Sequence, residues 1–130
     1  MTVSDKETPE TVAIKDLDEW RFEFDMANIQ RYVHNAATQK GFNDLTMSPL
    51  FVPTKLALIV TEIAEAIEAH RCGNLPDQHL PGYNGVSVEL ADAVIRILDL
   101  AESLKIPLGQ VIIDKLRFNA GRPYKHNKLY

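Results

Sequence analysis

The stretch from Val86 to Leu104, VSVELADAVIRILDLAESL, constrains this chain more than any other. Valine, leucine, isoleucine and alanine recur on most sides of a 3.6-residue period, so a helix here has to be covered by more than one neighbour. Its polar residues are not scattered. At about 100 degrees per residue, Glu89, Asp92, Arg96 and Asp99 fall on one narrow strip.

The other helical signals follow the same period. From Asp16 to Lys40 helix-forming residues dominate, Ile29, Tyr32, Val33 and Ala36 share one side, and Gly41 stands where a helix should stop. Asp25 offers a cap for a later start, which leaves DEWRFEF of uncertain type. GFNDLTMSPLFVP has the composition of a connection. Thr54 is expected to cap the next helix, whose Leu56, Ile59, Val60, Ile63, Ala64 and Ile67 form an apolar stripe before Gly73 ends it. After the loop GNLPDQHLPGYNG and the all-round apolar helix, Pro107 opens a last helix that runs to Gly121. RPYKHNKLY is expected to be an extended tail.

No internal repeat and no period-two strand pattern is visible. Four helices joined by short loops predict an all-α fold, an antiparallel four-helix bundle. Residues 1–15 are polar and aperiodic and read as a flexible arm, leaving 16–130 as one domain. Four short helices have limited means to cover the 86–104 helix, so a homodimer or homotetramer is expected.

Composition narrows the partners. The 130 residues are 45% hydrophobic and 25% charged, enough for a core without disulfides or a structural zinc. A net charge of −4 argues against binding a nucleic acid polymer, which needs a surplus of Lys and Arg. No secretory pattern and no run of ~18 apolar residues is present, so no membrane association is expected. Cys72 has no partner thiol in the sequence, and a cytoplasmic location is expected.

The acids raise the chemical question. TEIAEAIEAH carries Glu62, Glu65 and Glu68 at three-residue steps, although ionised neighbours at that spacing repel. Glu62 and Glu65 lie about 60 degrees apart, opposite Ile63 and Ile67, as if on a partly covered second face; Glu68 lies further round and is expected to be exposed. Glu89 and Asp92 repeat the spacing on the apolar helix. If the two helices pack side by side, up to four carboxylates converge, a donor set suited to a hard cation such as magnesium. Glu-x-x-His, which a di-iron bundle would need, is absent from both, and His70, His79 and His126 show no ligand spacing. Arg96 and Asp99 read as an exposed i,i+3 ion pair.

The C-terminal end is basic: Lys105, Lys115, Arg117, Arg122, Lys125 and Lys128 face one acid, Asp114. Lys115, Asn119 and Arg122 share a helix edge, where they either bind phosphate or complement the helix dipole and C-cap. His34, Asn35, Phe42 and Trp20 are candidates for contacts to a nucleobase.

Taken together, TEIAEAIEAHR, VELADAVIRILDLA and DKLRFNAGRPYKHNK resemble the MazG-like all-α nucleoside triphosphate pyrophosphohydrolases, from about residue 25 to the end. The family's Glu-x-x-Glu followed by Glu-x-x-Asp is met by Glu62, Glu65, Glu89 and Asp92, and its Lys-x-x-x-Asn-x-x-Arg by Lys115, Asn119 and Arg122, with Tyr124 close behind. The resemblance implies a bundle that dimerises or tetramerises, holds magnesium, or manganese in its place, on the four acids, and converts (d)NTP to (d)NMP and pyrophosphate in nucleotide-pool control or housecleaning. On that resemblance Lys115 and Arg122 are expected to hold the phosphate chain, Asn119 to donate to a phosphate or sugar oxygen and Lys125 to extend the strip, with Tyr124 also counted among the substrate-binding residues. From a different class, the alternative is a non-catalytic oligomerisation or adaptor module whose acids bind a structural metal or a basic partner.

Overall fold

A computed structural model describes residues 17–129. Among these the chain is all-helical: α1 is Glu19–Gln39, α2 Phe51–Arg71, α3 Gly85–Ser103 and α4 Leu108–Ala120, followed by a 3₁₀ turn at Tyr124–Asn127. The arm read at residues 1–15 lies outside the described residues.

Local chemistry explains most of the boundaries. Asp18 Oδ1 accepts from the Arg21 N–H and caps α1, so DEWRFEF is mostly helical and Asp25 lies inside the helix instead of starting it. Gly41, at φ +83°, turns the chain out of α1. The next helix begins at Phe51, not at Thr54: Pro53 sits in its first turn, where a missing N–H costs nothing, and the Thr54 N–H already bonds to Leu50 O. Gly73, at φ +93°, ends α2. Asn84 then caps α3 by accepting from the Ser87 N–H, while Asn74 Oδ1 accepts from the Val86 N–H. The tail expected to be extended contains the 3₁₀ turn.

The described chain divides into two compact units, one of residues 29–106 and one of residues 17–28 with 107–129. In the first, α2 and α3 form an antiparallel pair. Gly85 at the start of α3 meets Ala69 near the end of α2, where a Cβ on Gly85 would stand only 2.9 Å from the Ala69 Cβ. Further along, Arg96 meets Glu62 and Asp99 meets Lys55. The second half of α1 joins them through buried Gln30, whose Nε2 donates to Glu102 Oε2 and Ile106 O.

The face that α2 turns inward is not its apolar stripe. Phe51, Lys55, Glu62 and Ala66 are buried, whereas Leu56, Val60, Ile63 and Ile67 are 43–67% exposed. The reason is the pairing itself: α3 presents its polar strip to α2, with Arg96 on Glu62 and Asp99 on Lys55, and a helix can close on that surface only with small or complementary polar groups.

In the other unit, Ile113 of α4 is buried and Gly109 packs so closely on α1 that a Cβ would meet Met26 Cβ at 2.9 Å. Arg117 pairs with Glu19, and Trp20 stacks on Phe24 with ring centroids 5.5 Å apart.

Candidate metal and ligand site

The antiparallel register brings three carboxylates together. Glu62 of α2 and Glu89 and Asp92 of α3 each offer an oxygen, all within 4.8 Å of one another. Glu62 is buried and Glu89 half-buried. Glu65 is exposed and outside this group of three, but lies close enough to Glu89 to disfavour its ionisation. Burial first, then the charges of Glu65 and Glu62, push the Glu89 carboxyl from its usual 4.5 to about 7. Burial and Glu62 likewise raise Asp92, opposed by the charge of Arg96. Glu68 is exposed and accepts from Arg71 and the Cys72 thiol.

Three hard oxygens with no nitrogen or sulfur among them, where burial and neighbouring carboxylates favour protonation of Glu89, fit a magnesium-type cation. They do not resemble a zinc or iron donor set.

The other two polar residues on the α3 strip do not form the exposed ion pair expected of them. Arg96 Nε donates to Glu62 Oε1 at 2.5 Å across the helix pair. Asp99 is buried: its Oδ1 lies 2.9 Å from His34 Nδ1 and accepts from Asn43 Nδ2 at 2.8 Å, and its Oδ2 accepts from Lys55 Nζ at 3.3 Å. Partners on other elements win because they reach the carboxylate in a water-poor interior, where a charge has to be compensated. Asp99 thereby ties α1, the connection after it and α2 to α3. Asn43 also donates to Thr38 Oγ1, while its own Oδ1 is buried without a donor among the described residues.

Beside this hub opens a cavity of about 420 Å³. Tyr32 and Phe42 supply aromatic wall and Val33 and Ile95 aliphatic wall. Lys40, Lys55 and Arg96 bring cations, and Asp92 and Asp99 the acids. Asp92 therefore belongs both to the carboxylate group and to the cavity. Of the residues read as base contacts, Phe42 lines the cavity; His34 is engaged by Asp99, and Asn35 is exposed. Trp20 belongs to the other unit, stacked on Phe24.

Lys115, Asn119, Arg122, Tyr124 and Lys125 also belong to that unit. There, Lys115 Nζ lies 4.7 Å and Arg122 Cζ 5.7 Å from the centroid of the exposed Phe118 ring, so two cations share one aromatic ring. Asn119 is half-buried, and its carbonyl accepts from Gly121 and Arg122 at the helix end. Lys125 is exposed and holds φ +51° in the 3₁₀ turn.

Sequence reasoning missed Lys55, Asn43 and Tyr32. A lysine inside the apolar run LFVPTKLALIV was the available signal for the first; the period places Tyr32 on a face of α1 but does not mark it as a ligand contact, and Asn43 sits in a connection whose packing no local pattern announces. Compared with known proteins, the chain matches no family model, no curated protein and no solved structure.

Proposed function

We propose that the chain is a magnesium-dependent nucleoside triphosphate pyrophosphohydrolase, releasing a nucleoside monophosphate and pyrophosphate. The observation that carries this reading is the sharing of Asp92 between a three-carboxylate group and a cavity of about 420 Å³ with aromatic walls. A ligand with a planar, weakly polar part and a polyanionic part suits both at once, and the cavity lies within the ordinary range for small-molecule sites.

In this reading Glu62, Glu89 and Asp92 hold the cation, with Glu65 at the edge of the group. Bound magnesium would neutralise phosphate oxygens and lower the pKa of a water. Glu65, exposed and beside Glu89, would accept the proton of that water. Tyr32 and Phe42 would flank the base, with Lys55 and Asp99 offering a donor and an acceptor at its polar edge. Within their own unit, Lys115 and Arg122 are proposed to bind phosphate, Arg122 by two parallel bonds, with Asn119 donating to a phosphate or sugar oxygen.

The subunit would be part of an antiparallel four-helix bundle that self-associates. Leu56, Val60, Ile63 and Ile67 form an exposed apolar row on α2, larger than isolated surface residues account for. The same row supports the second reading, an adaptor module without turnover.

One experiment separates them: incubation with each common ribo- and deoxynucleoside triphosphate, with and without magnesium, measuring pyrophosphate against orthophosphate. Magnesium-dependent pyrophosphate is expected, and no turnover of any nucleotide would leave the adaptor reading standing.

A further inference from the structure

Arg96 belongs to both halves of the site. It lies one turn beyond Asp92 on α3, its Nε donates to Glu62 Oε1, and its side chain lines the cavity. The pair is asymmetric, because the Glu62 side chain is 7% exposed and that of Arg96 36%. A fixed interior carboxylate is thus met by a guanidinium reaching in from the rim. The contact is made through Nε, and the two Nη groups find no acceptor among the described residues.

We propose that Arg96 is an exchangeable counter-ion, neutralising Glu62 until a divalent cation takes that carboxylate and then passing to an anionic group of the ligand in the cavity. The inference rests on the pyrophosphohydrolase reading above. Three physical arguments support it. An interior carboxylate needs positive charge beside it, and Arg96 is the cation paired with Glu62. A divalent ion and a guanidinium at one carboxylate repel each other and compete for its lone pairs. A guanidinium released at the cavity wall carries a planar fork that matches phosphate oxygens.

The consequence is coupling between the two ligands. Arg96 opposes the cation when the cavity holds no anion, and an anionic ligand removes that opposition by giving the guanidinium another partner. Cation and ligand therefore each tighten the binding of the other.

The test uses the full chain and Mn²⁺ as the probe, with free Mn²⁺ read by electron paramagnetic resonance. Titrations are made alone and with a non-hydrolysable α,β-methylene deoxynucleoside triphosphate. Arg96→Met keeps the aliphatic stem and removes the charge; it is expected to bind Mn²⁺ alone roughly ten-fold more tightly, the scale of one charge-assisted hydrogen bond. The nucleotide-induced gain in Mn²⁺ affinity should shrink by a similar factor. Arg96→Lys keeps the charge without the fork and should bind Mn²⁺ alone as the parent does, with a reduced nucleotide-induced gain.

Unchanged or weaker Mn²⁺ binding by a cooperatively melting Arg96→Met chain overturns the proposal, leaving Arg96 as a support for Glu62. Should that variant not fold, an undiminished gain in Arg96→Lys overturns it instead. Tighter Mn²⁺ binding in Arg96→Met with no nucleotide effect in the parent supports exchange at Glu62 and sinks the pyrophosphohydrolase reading. Absence of Mn²⁺ binding in all three chains overturns both.

Discussion

Asp99→Asn is the most searching perturbation of the interior. The substitution keeps the shape of the side chain and removes its charge. An amide oxygen turned toward His34 and Asn43 leaves the amide nitrogen facing Lys55 Nζ, donor against donor, where Asp99 Oδ2 now accepts at 3.3 Å. The Lys55 side chain is only 11% exposed, so its ammonium is left without a counter-charge in the interior. Breaking a buried pair from one side costs about 3–5 kcal/mol. That is a large share of the roughly 5–15 kcal/mol that holds a typical domain together. At about 3–6 °C per kcal/mol for a chain of this length, the melting temperature should fall by roughly 10–30 °C. Urea titration followed by circular dichroism gives the free energy, with an unchanged slope as the sign that only stability moved. Lys55→Met leaves the carboxylate two of its contacts and should cost less, about 1–3 kcal/mol. The double variant should be less damaged than the sum of the singles by about 1–3 kcal/mol. An Asp99→Asn chain within about 1 kcal/mol of the parent, or strict additivity of the pair, would refute the reasoning, since a solvated hub carries no such coupling.

Replacing Glu62 by Gln or Asp92 by Asn should cut any magnesium-dependent pyrophosphate release by well over ~100-fold, more than the loss of groups that merely orient ligands; helicity by circular dichroism should persist, and full activity in the double variant sinks the assignment. Glu89 titrates at about 7 in the folded chain against a usual 4.5, so the folded state holds the proton more tightly and this stabilisation is present below about 4.5 and lost as pH rises through about 7. With water screening a half-buried group, the loss is about 1–2 kcal/mol. In chelator, the parent should therefore melt lower at pH 8 than at pH 5 by more than Glu89→Gln does, and added magnesium should restore it; equal pH slopes in the two chains contradict the account. Val60→Asp in the exposed row of α2 should shift the chain toward monomer in light scattering without loss of helicity, and a parent that is already monomeric at tens of micromolar removes the case for self-association.

The helices themselves were legible, because their ends are chemical. Gly41, Gly73 and Pro107 stop or start the chain through backbone conformation alone, and such signals need no knowledge of neighbours. Orientation was not legible in the same way. The rule that an apolar stripe turns to the core reads α2 backwards, since Leu56, Val60, Ile63 and Ile67 face out and Lys55 and Glu62 face α3. The strip of Glu89, Asp92, Arg96 and Asp99 was visible as a line, and that line is what α3 presents to its neighbours. Its pairing was not, because the partners of Asp99 are 44 to 65 residues away and no local spacing selects them over a neighbour three residues off.

The close meeting of Gly85 and Ala69 sets the gauge of the three-carboxylate group. Gly85 stands about one helical turn before Glu89, and Ala69 about two turns beyond Glu62, so the separation of the two backbones at that end is carried by stiff rods to the carboxylates. In the magnesium reading, a hydrogen atom in place of a methyl group would keep the rods near enough for that ion's short bonds, about 2.0–2.1 Å, where calcium settles for about 2.3–2.6 Å. Gly85→Ala would widen the caliper without touching a ligand, and competition between the two ions for the altered chain would register the change as a drift of preference toward the larger one.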